Sequence, residues 1–240
     1  MHVHFIQHES FEAPGAYLNW AEKRGHTTTF SRVYEQEALP VDMRGIDMLI
    51  VMGGPQSPGT SLQECPHFDA AAEKHVIQQC IQAGKIVVGV CLGAQLIGEA
   101  LGAAYAHSPE KEIGVFPITL TPAGLQDKKV RHFGSNLLVG HWHNDMPGLT
   151  ATAEVLAVSE GCPRQIVRYA PLVYGLQCHM EFTPGLVDLL IDSEQDWETL
   201  ALQHRYVQLP SKIRSVGYED MNVCLFGFLD ELSTEYYMMR

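Results

Sequence analysis

The sequence predicts an α/β protein: a doubly wound, mostly parallel sheet flanked by helices, with antiparallel strands added at one edge and a helical C-terminal extension. Three observations carry this. Unbroken apolar runs such as IDMLIVM (46–52) and IVVGV (86–90) fit strands buried on both faces, as in parallel sheets. Those runs alternate with helical patterns as far as Gly102, the rhythm of a doubly wound sheet. Beyond Gly102, strand-like runs follow one another with few helical patterns between them.

Taken in order, Val3 to Gln7 reads as a short first strand. Pro14-Gly15 opens a helix over AYLNWAEKR, which Gly25 ends as a C-cap glycine does. Thr27 to Val33 is rich in β-branched residues and reads as a second strand. IDMLIVM is the third, and GGPQSPG breaks the chain into a loop. Between Asp69 and Ala83, the residues Val76, Ile77, Cys80 and Ile81 form one helical stripe, capped by Gly84. IVVGV and the helix LGAQLIGEAL follow. EIGVFPITL, NLLVGHWH, AEVLAVS, RQIVRY and LVYGLQCH are the later strands, and Pro184 to Ile191 is helical again. From Asp196 the tail is amphipathic: Met221, Leu225, Phe228 and Leu232 lie on one helical face. The expected organisation is one domain over 1–191 and a helical extension over 192–240 packed on it.

Composition narrows the partners. With 28 Asp and Glu against 16 Lys and Arg, the net charge is -12, which repels phosphate backbones and anionic lipid. Nucleic acid and membranes are therefore not expected partners, and no apolar run approaches a membrane span. The start, MHVHFIQHES, lacks the basic region and cleavage site of a signal peptide. The six cysteines form no CxxC pair, which fits reduced thiols in a cytoplasmic protein.

The chemistry centres on GVCLG, residues 89–93, where a strand pattern turns into a helix pattern. G-x-C-x-G at such a turn has the form of a nucleophile elbow. The turn lifts the sulfur above the sheet and aims it at a helix N-terminus, whose free N–H groups favour a thiolate. A free thiol of pKa ~8.5 is only a few per cent ionised at neutral pH, so that help matters. The backbone N–H of Leu92 is a natural oxyanion donor. Taken alone, the motif also suits a small core cysteine at a strand end, and the partners decide between the two. YGLQCHMEF (174–182) supplies them. If 172–179 is a strand, Gln177 and His179 share a face and Glu181 follows on the histidine's side. The carboxylate can then orient the imidazole, which serves Cys91 as base and the leaving group as acid.

GVCLGAQ and YGLQCHMEF resemble the two signature segments of class I glutamine amidotransferases, usually G-x-C-x-G-x-Q and Q-F-H-P-E. MGGPQSP (52–58) resembles that family's oxyanion loop, and HWHNDMPGL (141–149) its S-H-x-D segment in the GMP-synthase-type branch. Four segments stand in the right order. Cys178 and Met180 depart from the usual Phe and Pro, and Asn144 stands where Gly is common. The resemblance implies a flavodoxin-like arrangement and a mechanism. Cys91 attacks the side-chain amide of glutamine, Gly54 and Leu92 hold the oxyanion, and His179 with Glu181 moves the proton. Gln95, His143, Asn144 and Asp145 contact the substrate. Expected partners are glutamine or a γ-glutamyl amide, with a synthetase subunit and self-association left open. No ATP-binding S-G-G-x-D-S segment is found, so the chain reads as a separate glutaminase subunit or a stand-alone hydrolase. A γ-glutamyl peptidase is the alternative, and a non-catalytic binding module the second one.

Other features read more plainly. His2/His4 and His141/His143 each place two imidazoles on a strand face, yet no spacing completes a tetrahedral set, so neither metal nor cofactor is expected. Gly53-Gly54 fits a turn or, beside the elbow, an oxyanion loop. Asp145 fits a turn cap or a substrate contact. QHESFEAPG follows a strand end, where ligand crevices form. His8, Glu9 and Phe11 there either close over the site or belong to an ordinary helix-capping loop. Trp142 and Trp197 read as packing.

Overall fold

A computed structural model describes residues 1–240. Its centre is a parallel sheet built from β1 (His2–Gln7), β2 (Thr27–Arg32), β3 (Met48–Val51), β4 (Ile86–Val90) and β9 (Val173–Leu176), in the order β9-β4-β3-β1-β2. Crossovers run through α1 (Ala16–Lys23), α2 (Ala70–Gln82) and α3 (Leu92–Ala100). The chain moves outward from β1 to β2 and then the other way to β3 and β4. That reversal opens a crevice at the strand C-termini, where ligands bind in such sheets.

Burial in the central strands alternates between two cores. Ile50, Val88 and Val90 point into the core covered by α1, and Leu49, Val51 and Val87 into the one covered by α2 and α3. Both faces are apolar, which explains the uninterrupted apolar runs. The helices stop as their residues dictate: Asp69 caps α2 by accepting from the N–H groups of Ala71 and Ala72, and Gly84 continues past its end at φ 66.

The antiparallel half consists of β5 (Ala106–Leu120), β6 (Asn136–Met146), β7 (Glu154–Val158) and β8 (Ile166–Ala170), with the short α4 (Pro122–Gln126) after β5. β8 joins β9, and β6 pairs with β5 off the main path. Then come α5 (Pro184–Ser193), α6 (Trp197–Gln203), β10 (Tyr206–Val207), α7 (Pro210–Arg214) and α8 (Glu219–Met238).

Three expectations are corrected. β5 is 15 residues long rather than the nine of EIGVFPITL, because its first part pairs with the far end of β6 across a register shift. β9 ends at Leu176, so Gln177 to His179 are not strand; His179 instead exchanges backbone hydrogen bonds with Gly140 of β6 at 2.9 and 2.8 Å. The tail is not wholly helical, since Tyr206 and Val207 add a parallel edge strand beside Glu112 and Ile113. Two residues carry too little periodicity to be seen in sequence.

Candidate active site

Cys91 sits between the last residue of β4 and the first of α3, with φ 49 and ψ -106. A non-glycine residue in that region is strained, and such strain persists where the surroundings fix it. Here the flanking glycines do so. A Cβ on Gly89 would overlap the Gly93 carbonyl, and one on Gly93 would overlap the Val51 carbonyl. The helix can therefore sit directly on the sheet only with glycine at both places. The Cys91 N–H donates to the Leu176 carbonyl at 2.8 Å, which ties the elbow to the end of β9. The segment carrying the histidine starts at that point.

His179 Nδ1 donates to Glu181 Oε1 at 2.6 Å, with both side chains buried. The Phe182 ring stacks on the imidazole with centroids 5.4 Å apart. Burial pulls the imidazole pKa down, but the Glu181 carboxylate and the Cys91 sulfur outweigh it, and the net shift is well upward. Burial also pushes the Cys91 thiol up, against the pull of His179 and the Leu92 N–H. The two groups thus share the pull on one proton: burial favours the neutral thiol, while His179 and the Leu92 N–H favour the thiolate. At rest Sγ points toward the Trp142 carbonyl, 3.7 Å away, and His179 Nε2 has no hydrogen-bond partner. The two groups are close enough to influence each other's protonation.

The elbow opens into a cavity of about 310 Å3, lined by Cys91, Gly54, Gln95, His143, Asn144 and Asp145 among others. Six residues singled out in sequence thus share one cavity. Leu92 contributes its N–H from behind the sulfur, while its side chain packs in the second core. Gln95 donates to Gln177 Oε1 at 3.2 Å and keeps a buried Oε1 without a partner. Asn144 lies exposed at the rim. Asp145 accepts from His107 Nδ1 at 2.6 Å, so its partner is a side chain and not a turn. Trp142 lines the cavity, and Trp197 props it edge-on at 5.5 Å.

The stretch after β1 does more than cap a helix. Phe11 and Glu12 line the cavity. Glu9 accepts from Gln56 of the GGPQSP loop at 2.7 Å. His8 is buried and holds that same loop, with Nδ1 on the Gly53 carbonyl at 2.9 Å and Nε2 on Glu73 at 2.8 Å. Burial works against the His8 cation, but the Glu73 carboxylate overcomes it and raises its pKa. Glu12 escapes a sequence reading, because an acid just before a helix usually caps it. Its buried carboxyl stands beside Gly53 and His179, and burial raises it to about 7. The His141/His143 pair also gains a partner that spacing does not show, the buried Glu112 of β5.

A family model described as glutamine amidotransferase class-I matches residues 17–191. The glutamine amidotransferase-like protein YfeJ of Salmonella typhimurium is 58% identical over 233 residues, covering 97% of this chain and 98% of that protein. A GMP synthase of Nitratidesulfovibrio vulgaris is 32% identical over 194 residues, which span 76% of this chain but 35% of that enzyme. Among solved structures, SMU.1228c superposes with a TM-score of 0.96 at 53% identity, covering 97% of this chain and all of that one. A Thermotoga maritima glutamine amidotransferase superposes at 0.84 with 20% identity, over 97% of each chain, and shares the fold. With the model matched across most of its length, the chain belongs to the class I glutamine amidotransferase family.

Proposed function

We propose that the chain hydrolyses the side-chain amide of glutamine through a γ-glutamyl thioester on Cys91. The observation that carries this is the strained elbow cysteine facing a buried His179–Glu181 pair at the floor of an amino-acid-sized cavity. In this reading Sγ gives its proton to His179 Nε2 and bonds to the amide carbon. The oxyanion lies against the N–H groups of Leu92 and Gly54. His179 passes the proton to the departing nitrogen, and ammonia leaves. Water then adds to the thioester, His179 taking its proton and returning one to the sulfur, and glutamate is released. Glu181 holds the imidazole in its tautomer throughout. Gln95, His143, Asn144 and Asp145 orient the substrate's amino and carboxylate groups. The ammonia would pass to a synthetase subunit; the kinship to a GMP synthase supports that partner. Residues 192–240 complete the domain rather than form another.

A second reading rests on the cavity wall. Phe11, Trp142 and Leu190 give it an apolar side that ammonia does not need. An enzyme releasing a larger amine from a γ-glutamyl amide would use it. The deciding experiment incubates the protein with glutamine, and separately with γ-glutamyl dipeptides, beside Cys91→Ala. Ammonia from glutamine supports the first reading, and Cys91-dependent cleavage of dipeptides alone supports the second. Turnover surviving in Cys91→Ala would refute both. Silence on both substrates, with a glutamine-mimicking electrophile still adding to Cys91, would assign the missing component to a partner subunit.

A further inference from the structure

Beside the cavity, on the antiparallel half of the sheet, lies a closed cluster of donor atoms that shares only His143 with the proposed substrate site. Glu112 on β5 stands directly across from His143 on β6, and His141 lies two residues along on the same face. Gln165, just ahead of β8, reaches into the same spot. All four side chains are buried, at 1, 5, 0 and 0% exposure for Glu112, His143, His141 and Gln165.

The distances among the facing atoms are the informative part. Glu112 Oε2 lies 3.5 Å from His141 Nδ1 and 3.2 Å from His143 Nε2, and the two nitrogens are 3.4 Å apart. The Gln165 amide nitrogen is 2.7, 3.2 and 3.2 Å from those three atoms. Four ligands about 2.0–2.1 Å from a zinc ion stand about 3.3 Å from one another in a tetrahedron. The geometry points to a structural divalent-metal site, with zinc the best match, held by Glu112, His141 and His143 and completed by Gln165 turned to present Oε1. The donor set is imidazole and carboxylate, which suits zinc among the borderline metals.

Several independent details fit. His141 Nε2 lies 3.3 Å from the Phe116 carbonyl, so its proton sits there and Nδ1 offers a lone pair inward. Metal-binding histidines usually donate their second ring N–H in this way. Ser159 Oγ donates to Glu112 Oε2 at 2.8 Å, steadying the carboxylate. Gly161 lets the chain close over it, because a Cβ there would come within 2.7 Å of Glu112 Oε1. Hydrogen bonds within the protein leave His143 Nδ1 and Gln165 Oε1 buried and unpartnered. A small cavity of about 150 Å3, lined by Glu112, Phe116 and Tyr206, gives a way in. The bound ion would clamp the β5–β6 hairpin to the turn before β8. It would also fix the proton of His143 on Nδ1, in a ring that lines the substrate cavity.

The test uses the full chain stripped with a chelator and then titrated with cobalt(II), whose visible bands are intense in tetrahedral and weak in octahedral sites. Cys91→Ala serves as background, which removes the catalytic thiol as a competing ligand. One equivalent of tetrahedral cobalt, displaced by zinc, is expected, together with a rise in melting temperature on adding zinc. Glu112→Gln, nearly isosteric and therefore foldable, should weaken binding at least tenfold, and His141→Ala should abolish it. The proposal falls if no stoichiometric metal binds. It also falls if binding survives unchanged in Glu112→Gln, or if thiolate charge-transfer bands show that cysteines hold the ion. None of these readouts depends on glutamine turnover, so this site and the proposed activity fail separately.

Discussion

At Cys91 the proposed nucleophile and a strained backbone coincide. Strain at such a φ costs about 1–3 kcal/mol and is tolerated for function. Removing the sulfur while keeping the strain, as in Cys91→Ala, should abolish turnover and leave the melting temperature close to that of the parent. Cys91→Gly removes both sulfur and strain. It should be equally inactive yet at least as stable as Cys91→Ala, by about 1 kcal/mol, after the flexibility glycine adds to the unfolded chain. Urea titrations of the two variants compare them, and a less stable glycine variant would mean that the elbow is unstrained. Glu12 gives a second residue-scale expectation. A carboxyl raised to about 7 binds its proton more tightly folded than unfolded. Between its unfolded value of ~4.3 and 7 the folded state therefore holds the extra proton, and stability falls as pH rises across that window. The loss is on the order of 3–4 kcal/mol. Glu12→Gln should flatten the curve of stability against pH over that range, and an unchanged curve would show that Glu12 titrates normally. The placement of Cys91 at a strand-to-helix turn, and of His179 beside Glu181, was legible in the sequence because each rests on short local spacing. Glu12 was not, since what distinguishes it is burial against residues 41 and 167 positions away.

Elements place these residues by close contact rather than by side-chain chemistry. α3 rests on β3 through Gly93, and Gly93→Ala drives a methyl group into the Val51 carbonyl. Backbone cannot yield there as a flexible side chain can, so a loss of about 3 kcal/mol or more is expected, as for severe overpacking. The loop bearing Gly54 is held from below by the buried His8–Glu73 pair. Glu73→Ala leaves that imidazole buried without its partner, at a cost of about 3–5 kcal/mol. The sign follows from the raised His8 pKa: the pair's contribution is complete below the free imidazole's ~6.5 and is lost as pH climbs through the raised value. Chemical denaturation of Glu73→Ala against pH measures both. A difference from the parent that grows at high pH would contradict the charged pair. The parallel elements were readable because each is a contiguous apolar run or stripe. The end of β9 was misplaced because YGLQCH keeps its alternation past the point where pairing stops, and only the Gly140 bridge shows where His179 is anchored.

Across the whole molecule, the tail decides how far the protein is one cooperative unit. α8 lays Met221, Leu225, Phe228, Leu229, Leu232 and Tyr236 into the same core as α1 and the central strands. Phe228 meets Tyr174 of β9 edge-on at 5.2 Å, shortly before His179 in the chain. Polar ties fix the orientation: Trp20 Nε1 donates to Asp230 at 2.8 Å, and Tyr236 donates to Asp47 at 2.9 Å. At the other end, α5 and the residues after it bring Leu190, Ser193 and Glu194 to the cavity wall. The amphipathic stripe was legible in the sequence, but not its choice between burial and an interface, because a stripe does not say what covers it. If α8 is part of the main core, Phe228→Ala should cost about 3–5 kcal/mol, the usual effect of emptying a buried aromatic site. The loss should appear in a single unfolding transition shared with the rest of the chain, because the cavity would open beneath β9 in the main core. A tail that merely docks would instead melt in a separate early step and leave labelling of Cys91 by a glutamine-mimicking electrophile unchanged. Following tail fluorescence, far-ultraviolet circular dichroism and Cys91 labelling through one urea titration separates the two, and coincident midpoints are expected.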